Sequence, residues 1–173
     1  MLDLTATPKK ESNIISYVDA VQLKNEHMVK LPVIVYNRDS QSEVLIDAID
    51  LRNKLEEIAS AEYAKTGKYI RPIALFQAQP KGKEDATTFE KLRDKLVDAG
   101  IPAEQIAIRT ADVNELKNVE LMSLSCPIRY IITVNALKEG WDCPFAYILA
   151  SLANKTSQVD VEQILGRILR LPH

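Results

Sequence analysis

The sequence predicts an α/β domain built on an open, mainly parallel sheet with helices on both faces. Three observations predict it. After Arg71-Pro72, short apolar runs alternate with amphipathic helical segments, which is the order that βαβ units write into a chain. One of those runs, Ile128 to Val134 (IRYIITV), is β-branched and nearly continuously apolar, as a central strand covered on both faces must be. The chain is 173 residues long and 46% hydrophobic, enough to bury the core such a sheet needs.

Taken in order, the first dozen residues, MLDLTATPKKES, run from a short apolar patch into Pro-Lys-Lys and read as a strand end entering a linker. Asp19 to Asn25 is a candidate short helix. Val29 to Tyr36 (VKLPVIVY) is β-branched but interrupted by Pro32, which suits an edge strand. From Ser42 to Thr66, Val44, Leu45, Ala48, Leu51, Leu55, Ile58 and Ala59 recur at helical spacing, and Gly67 supplies a stop. Ile73 to Gln77 is the next strand. Lys81 to Glu84 reads as a polar loop. Thr87 to Ala99 follows as a helix with Phe89, Leu92, Leu96 and Val97 on its apolar side, closed by Gly100 and Pro102. Gln105 to Arg109 is a strand and Asn114 to Ser123 a helix. After the central run, Ala146 to Leu152 forms another strand. Ser157 to Leu169 ends the series as a helix with Ser157 as its cap and Asp160 near the capping-box position.

The net charge of −2, from 22 basic and 24 acidic residues, is not that of a strongly basic nucleic-acid binder, so any such contact is confined to a local groove. Cys126 and Cys143 are each followed by proline and have neither a CxxC partner nor a nearby His, which argues for reduced thiols rather than a metal site. No run of residues is long and apolar enough for a membrane span, and the N-terminus has no signal-peptide pattern; a cytoplasmic protein is expected, without a membrane partner.

The chemistry-bearing residues fall in three segments. In DVEQILGRILR, Arg167 and Arg170 stand three apart on a predicted helix and share a face, with Gln163 and Gly166 beside them. Two planar guanidiniums on one face suit a phosphate, because each donates paired hydrogen bonds and stays charged. Taken alone, the same spacing also describes a solvated helix face. In TVNALKEGWDCP, directly after the central strand, Thr133 to Pro144 would form a loop at the carboxyl end of the sheet, where ligands of open α/β sheets bind. Gly140 there permits close backbone approach, and Asp142 can accept hydrogen bonds from a ribose or a metal-bound water; a tight turn around a buried Trp141 explains the same letters. Thr5-Ala6-Thr7-Pro8 is a turn until it is set beside the other two.

In this order the segments resemble the motifs of superfamily 2 helicases. LTATP is similar to motif III, ALFQ with Phe76 and Gln77 to the strand of motif IV, TVNALKEGWDCP to motif V and QILGRILR to motif VI. The phrases LKEGWDCPFAYIL and QILGRILRLP resemble the Res subunits of type III restriction enzymes and related DEAD/DEAH-box proteins; motif V is also similar to an excision-repair helicase pattern. The resemblance implies that residues 1–12 are the tail of helicase domain 1 with its linker, and that 13–173 form the second RecA-like domain. It implies that Arg167 and Arg170 are arginine fingers reaching the γ-phosphate. Gln163, Gly140, Asp142 and Gly166 would then meet ATP, Thr133 and Gln77 the nucleic acid, and Thr5 and Thr7 would couple hydrolysis to domain movement. ATP and Mg²⁺ would be held mainly by domain 1. DNA and, for a type III restriction endonuclease, a modification methyltransferase subunit would be the partners.

No GxxxxGK[ST] loop is present: Gly67-Lys68 is followed by Tyr69 and Gly82-Lys83 by Glu84. Glu56-Glu57 and Glu84-Asp85 follow no apolar strand and read as solvated charges. Arg129 and Lys138 read as ordinary surface charges near the expected nucleic-acid groove. A repair-type DNA or RNA helicase domain, a RecA-like binding module without catalysis and an unrelated doubly wound nucleotide-binding domain remain as other readings.

Overall fold

The structure, a computed structural model, describes residues 20–25, 34, 36, 38–80, 86–134 and 145–152. Their order is helix α1 (Ala20–Asn25), α2 (Gln41–Thr66), strand β1 (Ile73–Gln77), α3 (Phe89–Asp98), a 3₁₀ turn (Ala103–Gln105), then β2 (Ile106–Arg109), β3 (Tyr130–Thr133) and β4 (Ala146–Ser151). Local chemistry sets the helix ends. Ser40 caps α2 by accepting from the Glu43 amide at 3.1 Å, and Thr88 caps α3 through the Lys91 amide at 3.5 Å. Gly67 ends α2 at φ +70°, and Gly100 follows α3 at φ +89° with its amide on the Val97 carbonyl, both in the left-handed region that glycine tolerates.

The sheet is four-stranded, open and all-parallel in the order β2-β3-β1-β4. The sequence-based expectation of an α/β parallel sheet therefore holds. All four strands end together: Arg109 pairs with Thr133, Thr133 with Gln77 and Gln77 with Ser151. This row is the carboxyl edge of the sheet.

Alternate residues of each strand face opposite sides, and the two sides are covered differently. Ala74, Phe76, Ile106, Ile108, Tyr130, Ile132, Ile148 and Ala150 pack against Leu45 and Ala48 of α2 and Leu92 and Leu96 of α3. Ile73, Leu75, Ala107, Ile131 and Ala146 face Cys126, Ile128 and Phe145, with Leu116 and Leu121 against them. Thus, among the described residues, α2 and α3 lie on one face, and the other is covered by irregular chain rather than by the helix expected there. Residues 114–123 do not form that helix because their backbone is engaged elsewhere. Asn114 bridges back to Arg109, the Glu115 amide binds the Ile108 carbonyl at 3.0 Å, and Asn118 sits at φ +67°. Arg71, 1% exposed, takes the carbonyls of Leu121, Ser123 and Leu124.

Helix α2 departs from its expected apolar face. Its 26 residues span about 39 Å, whereas strands of four to six residues span roughly 13–20 Å, so the helix outruns the sheet. Leu45 and Ala48 are buried as expected, but Leu51 and Ile58 are 38% and 64% exposed, and Arg52 takes the buried place between them. In α3, Val97, expected on the apolar side, likewise lies 43% exposed. Glu56, expected to be solvated, is partly buried and receives Arg52 and the Tyr69 hydroxyl. Arg129 is not a free surface charge: its Nη1 donates to the Cys126 carbonyl at 2.9 Å and it lies before β3, at the edge opposite Thr133. Ile34 and Tyr36, from the expected edge strand, are exposed and outside any strand. The remainder of that stretch, the Lys81–Glu84 loop and the Ser157–Leu169 helix lie outside the described residues.

Candidate functional site at the carboxyl edge

A parallel sheet gathers the ends of its strands, and here it gathers polar side chains with them. β1 leads to β2 on one side of the sheet, while β3 leads to β4 on the other, so chain direction divides between these adjacent strands. In open α/β sheets, ligands bind outside the carboxyl ends of the strands at such a division. The residues that flank it are Gln77, last of β1, and Thr133, last of β3, which are register partners. Thr133 is completely buried and Gln77 partly so. Both come from segments chosen on sequence grounds, and the structure brings them side by side.

The edge is braced by neutral hydrogen bonds. The Ser151 hydroxyl donates to Gln77 Oε1 at 3.0 Å, and the Leu152 amide donates to the Gln77 carbonyl at 2.9 Å. The Ala78 amide donates to the Thr133 carbonyl at 2.8 Å, carrying the sheet one step past the last strand residue. Beyond it, the Thr87 amide donates to Gln79 Oε1 at 2.8 Å and the Thr87 hydroxyl to Gln41 Oε1 at 2.6 Å. Gln41 Nε2 closes the ring on the Leu152 carbonyl at 3.3 Å. The first turn of α2, the approach to α3 and the ends of β1 and β4 are thereby fixed to one another. Because amides and hydroxyls both donate and accept, such a rim can meet a neutral or anionic backbone without carrying net charge itself. Arg109 ends the row and is the one charged residue in it.

Sequence reasoning found Gln77 and Thr133 but not Ser151, Gln79, Thr87 or Gln41. Nothing in the letters singles these four out, because each acquires its partner only through the register of the sheet and the seating of α2. Among the described residues no group of His, Cys, Asp and Glu could hold a metal ion. Cys126 is a buried free thiol. Thr5, Thr7, Gly140, Asp142, Gln163, Gly166, Arg167 and Arg170 lie outside the described residues, as do Cys143, Trp141 and Lys138. No helix among the described residues is long and apolar enough to cross a membrane.

No protein-family model, no curated protein and no solved structure matches this chain.

Proposed function

We propose that the chain is the second RecA-like domain of a superfamily 2 nucleic-acid motor, of the kind found in type III restriction enzymes. One observation carries the reading: the segment that resembles motif IV ends at Gln77, the segment that resembles motif V begins at Thr133, and these two residues are register partners at the carboxyl edge where the chain divides. Segments scattered along an unrelated fold would have no reason to meet there. The hydroxyl- and amide-rich rim, ended by Arg109, suits contacts to the phosphates and sugars of a single strand, which position without reading sequence.

In this reading Arg167 and Arg170 serve ATP bound mainly by a partner RecA-like domain carrying the Walker loop. Gly140, Asp142, Gln163 and Gly166 complete that side of the cleft, and Thr5 and Thr7 transmit closure. Bound ATP with Mg²⁺ supplies the phosphoryl group to be transferred. The 173 residues contain no Walker loop and, by themselves, hydrolyse no ATP. The deciding experiment joins this domain to its Walker-loop domain and compares Arg167→Ala with the parent. Turnover falls by roughly 10³-fold or more while ATP affinity is nearly kept, because a finger acts on the transition state. Unchanged turnover removes the reading.

A further inference from the structure

Of the six arginines among the described residues, five are committed. Arg38 pairs with Asp47, Arg52 with Glu56 and Arg93 with Glu115, while Arg71 and Arg129 donate to backbone carbonyls. The sixth, Arg109, is the last residue of β2 and makes no side-chain hydrogen bond or ion pair among the described residues. Glu115, returned beside β2 by the Asn114 bridge, does not serve it: its carboxylate receives Arg93 Nη1 at 2.9 Å and the Ile108 amide at 2.8 Å. Arg109 is nevertheless partly buried. A guanidinium withdrawn from part of its water gains from an opposite charge brought by a ligand.

Register ties Arg109 to the row of strand ends. Leu75, Ala107 and Ile131 face the second side of the sheet, with Leu149 packed against them. Gln77, Arg109, Thr133 and Ser151 each follow one of these by two residues. By strand alternation all four side chains therefore lie on that side, away from α2 and α3. The bond from the Ser151 hydroxyl to Gln77 Oε1 agrees with this placement. Adjacent strands lie about 4.8 Å apart, which puts roughly 10 Å between the backbones of Gln77 and Arg109, with Thr133 between them. Two open donors thus stand on one side of one edge. They are the Gln77 NH₂ group, whose companion Oε1 is held by Ser151, and the Arg109 guanidinium; neither has a hydrogen bond among the described residues.

We propose that Arg109 is the residue through which the described part of the carboxyl edge makes its ionic contact with the phosphate backbone of a single strand. The inference rests on the nucleic-acid reading of that edge and adds a charged contact to its neutral ones. A backbone lying along the row meets the Gln77 amide at one point and the Arg109 fork at another. The first contact positions the strand; the second neutralises a phosphate and releases its counterion. Since the chain as a whole carries a net charge of −2, attraction to the strand has to come from local cations of this kind.

The test is titration of a fluorescent oligothymidylate with the 173-residue chain at several sodium chloride concentrations, read by anisotropy. Arg109→Gln is expected to weaken binding by about tenfold at low salt and to reduce the slope of log affinity against log salt by about 0.7, the share of one phosphate contact on a single strand. Arg109→Lys keeps the slope while recovering only part of the affinity, because it retains the charge and loses the fork. Lys95→Gln removes the same charge from an exposed position on α3, on the other face of the sheet, and leaves slope and affinity unchanged. A misfolded variant would lose binding altogether rather than change its slope by one contact. If the parent chain binds but Arg109→Gln keeps its slope, or Lys95→Gln flattens it equally, the assignment of Arg109 is overturned and the reading of the edge survives. If the parent chain binds no oligothymidylate, the reading of the edge falls and takes this inference with it.

Discussion

The Ser151 hydroxyl donates to the side-chain carbonyl of Gln77 at 3.0 Å, across the pairing of β4 with β1. That bond decides which way the Gln77 amide faces. With Oε1 occupied, the NH₂ group is left as the donor at the carboxyl edge, beside Thr133. On the proposed reading it meets a phosphate or sugar oxygen of a single strand. Gln77→Ala is expected to weaken binding of a fluorescent oligothymidylate by about fivefold to tenfold, the worth of one hydrogen bond, without altering the slope of affinity against salt. Ser151→Ala frees the amide to rotate and weakens binding less. Anisotropy titrations at several salt concentrations measure both. Wild-type affinity in Gln77→Ala would take Gln77 out of the interface.

Arg71 does for the second face of the sheet what α2 and α3 do for the first. By taking three carbonyls from the 121–124 stretch, it holds irregular chain over Leu75 and Ile131. Arg71→Met removes the donors and strands those carbonyls, at a cost of about 3 kcal/mol of unfolding free energy. Lysine restores the charge but not the fork that spans the acceptors, so Arg71→Lys is expected to recover only part of the loss. Urea denaturation gives the stability, and amide exchange across 114–126 shows where protection is lost. Uniform loss of protection throughout the sheet would contradict this local role.

The strands were legible in the sequence because each is a short apolar run bounded by turn residues. Ile73 to Gln77 matches its prediction residue for residue, and β2, β3 and β4 lie within theirs. The capping signals at Gly67 and Gly100 were equally plain. What failed has a common cause. Asn114 to Ser123 carries helical spacing, yet its carbonyls and amides go to Arg71 and β2, partners remote in sequence. Ile58 keeps the helical period but has no sheet beneath it, and Glu56 gains its role only when α2 brings it to Tyr69. At the carboxyl edge, Gln77 and Thr133 could be chosen because the segments that carry them resemble helicase motifs IV and V. Ser151 and the Gln41–Thr87 pair depend on register and helix seating, which no local pattern encodes.

Gly100 offers a clean test of backbone strain. Its φ of +89° lies in the left-handed region, and a Cβ built there meets nothing within 4 Å. Gly100→Ala therefore adds no collision, and its effect is the cost of holding an L-residue in that conformation, about 1 kcal/mol. Gly100→Asn should cost less, since asparagine visits this region more readily. Chemical denaturation ranks the three proteins. Equal stability for alanine and glycine would mean that the turn after α3 relaxes instead of resisting.

Alkaline pH should unfold the domain through its tyrosines. Burial raises the phenol pKa of Tyr69, Tyr130 and Tyr147 above the ordinary 10.0, and at Tyr69 donation to Glu56 raises it further. The folded-state values thus exceed the unfolded ones, so between them the native chain holds protons that the unfolded chain has released. The stabilising contribution is complete below about pH 10 and is lost as pH rises through the folded-state values. Urea denaturation from pH 9 to 11 should show stability falling across that window, while absorbance at 295 nm reports delayed phenolate formation in the native state. Tyr147, whose shift comes from burial alone, isolates the effect. Tyr147→Phe keeps the ring and removes the proton, so its stability should fall less steeply with pH. Equal slopes for the two proteins would assign the alkaline loss to lysines or to general charge repulsion instead.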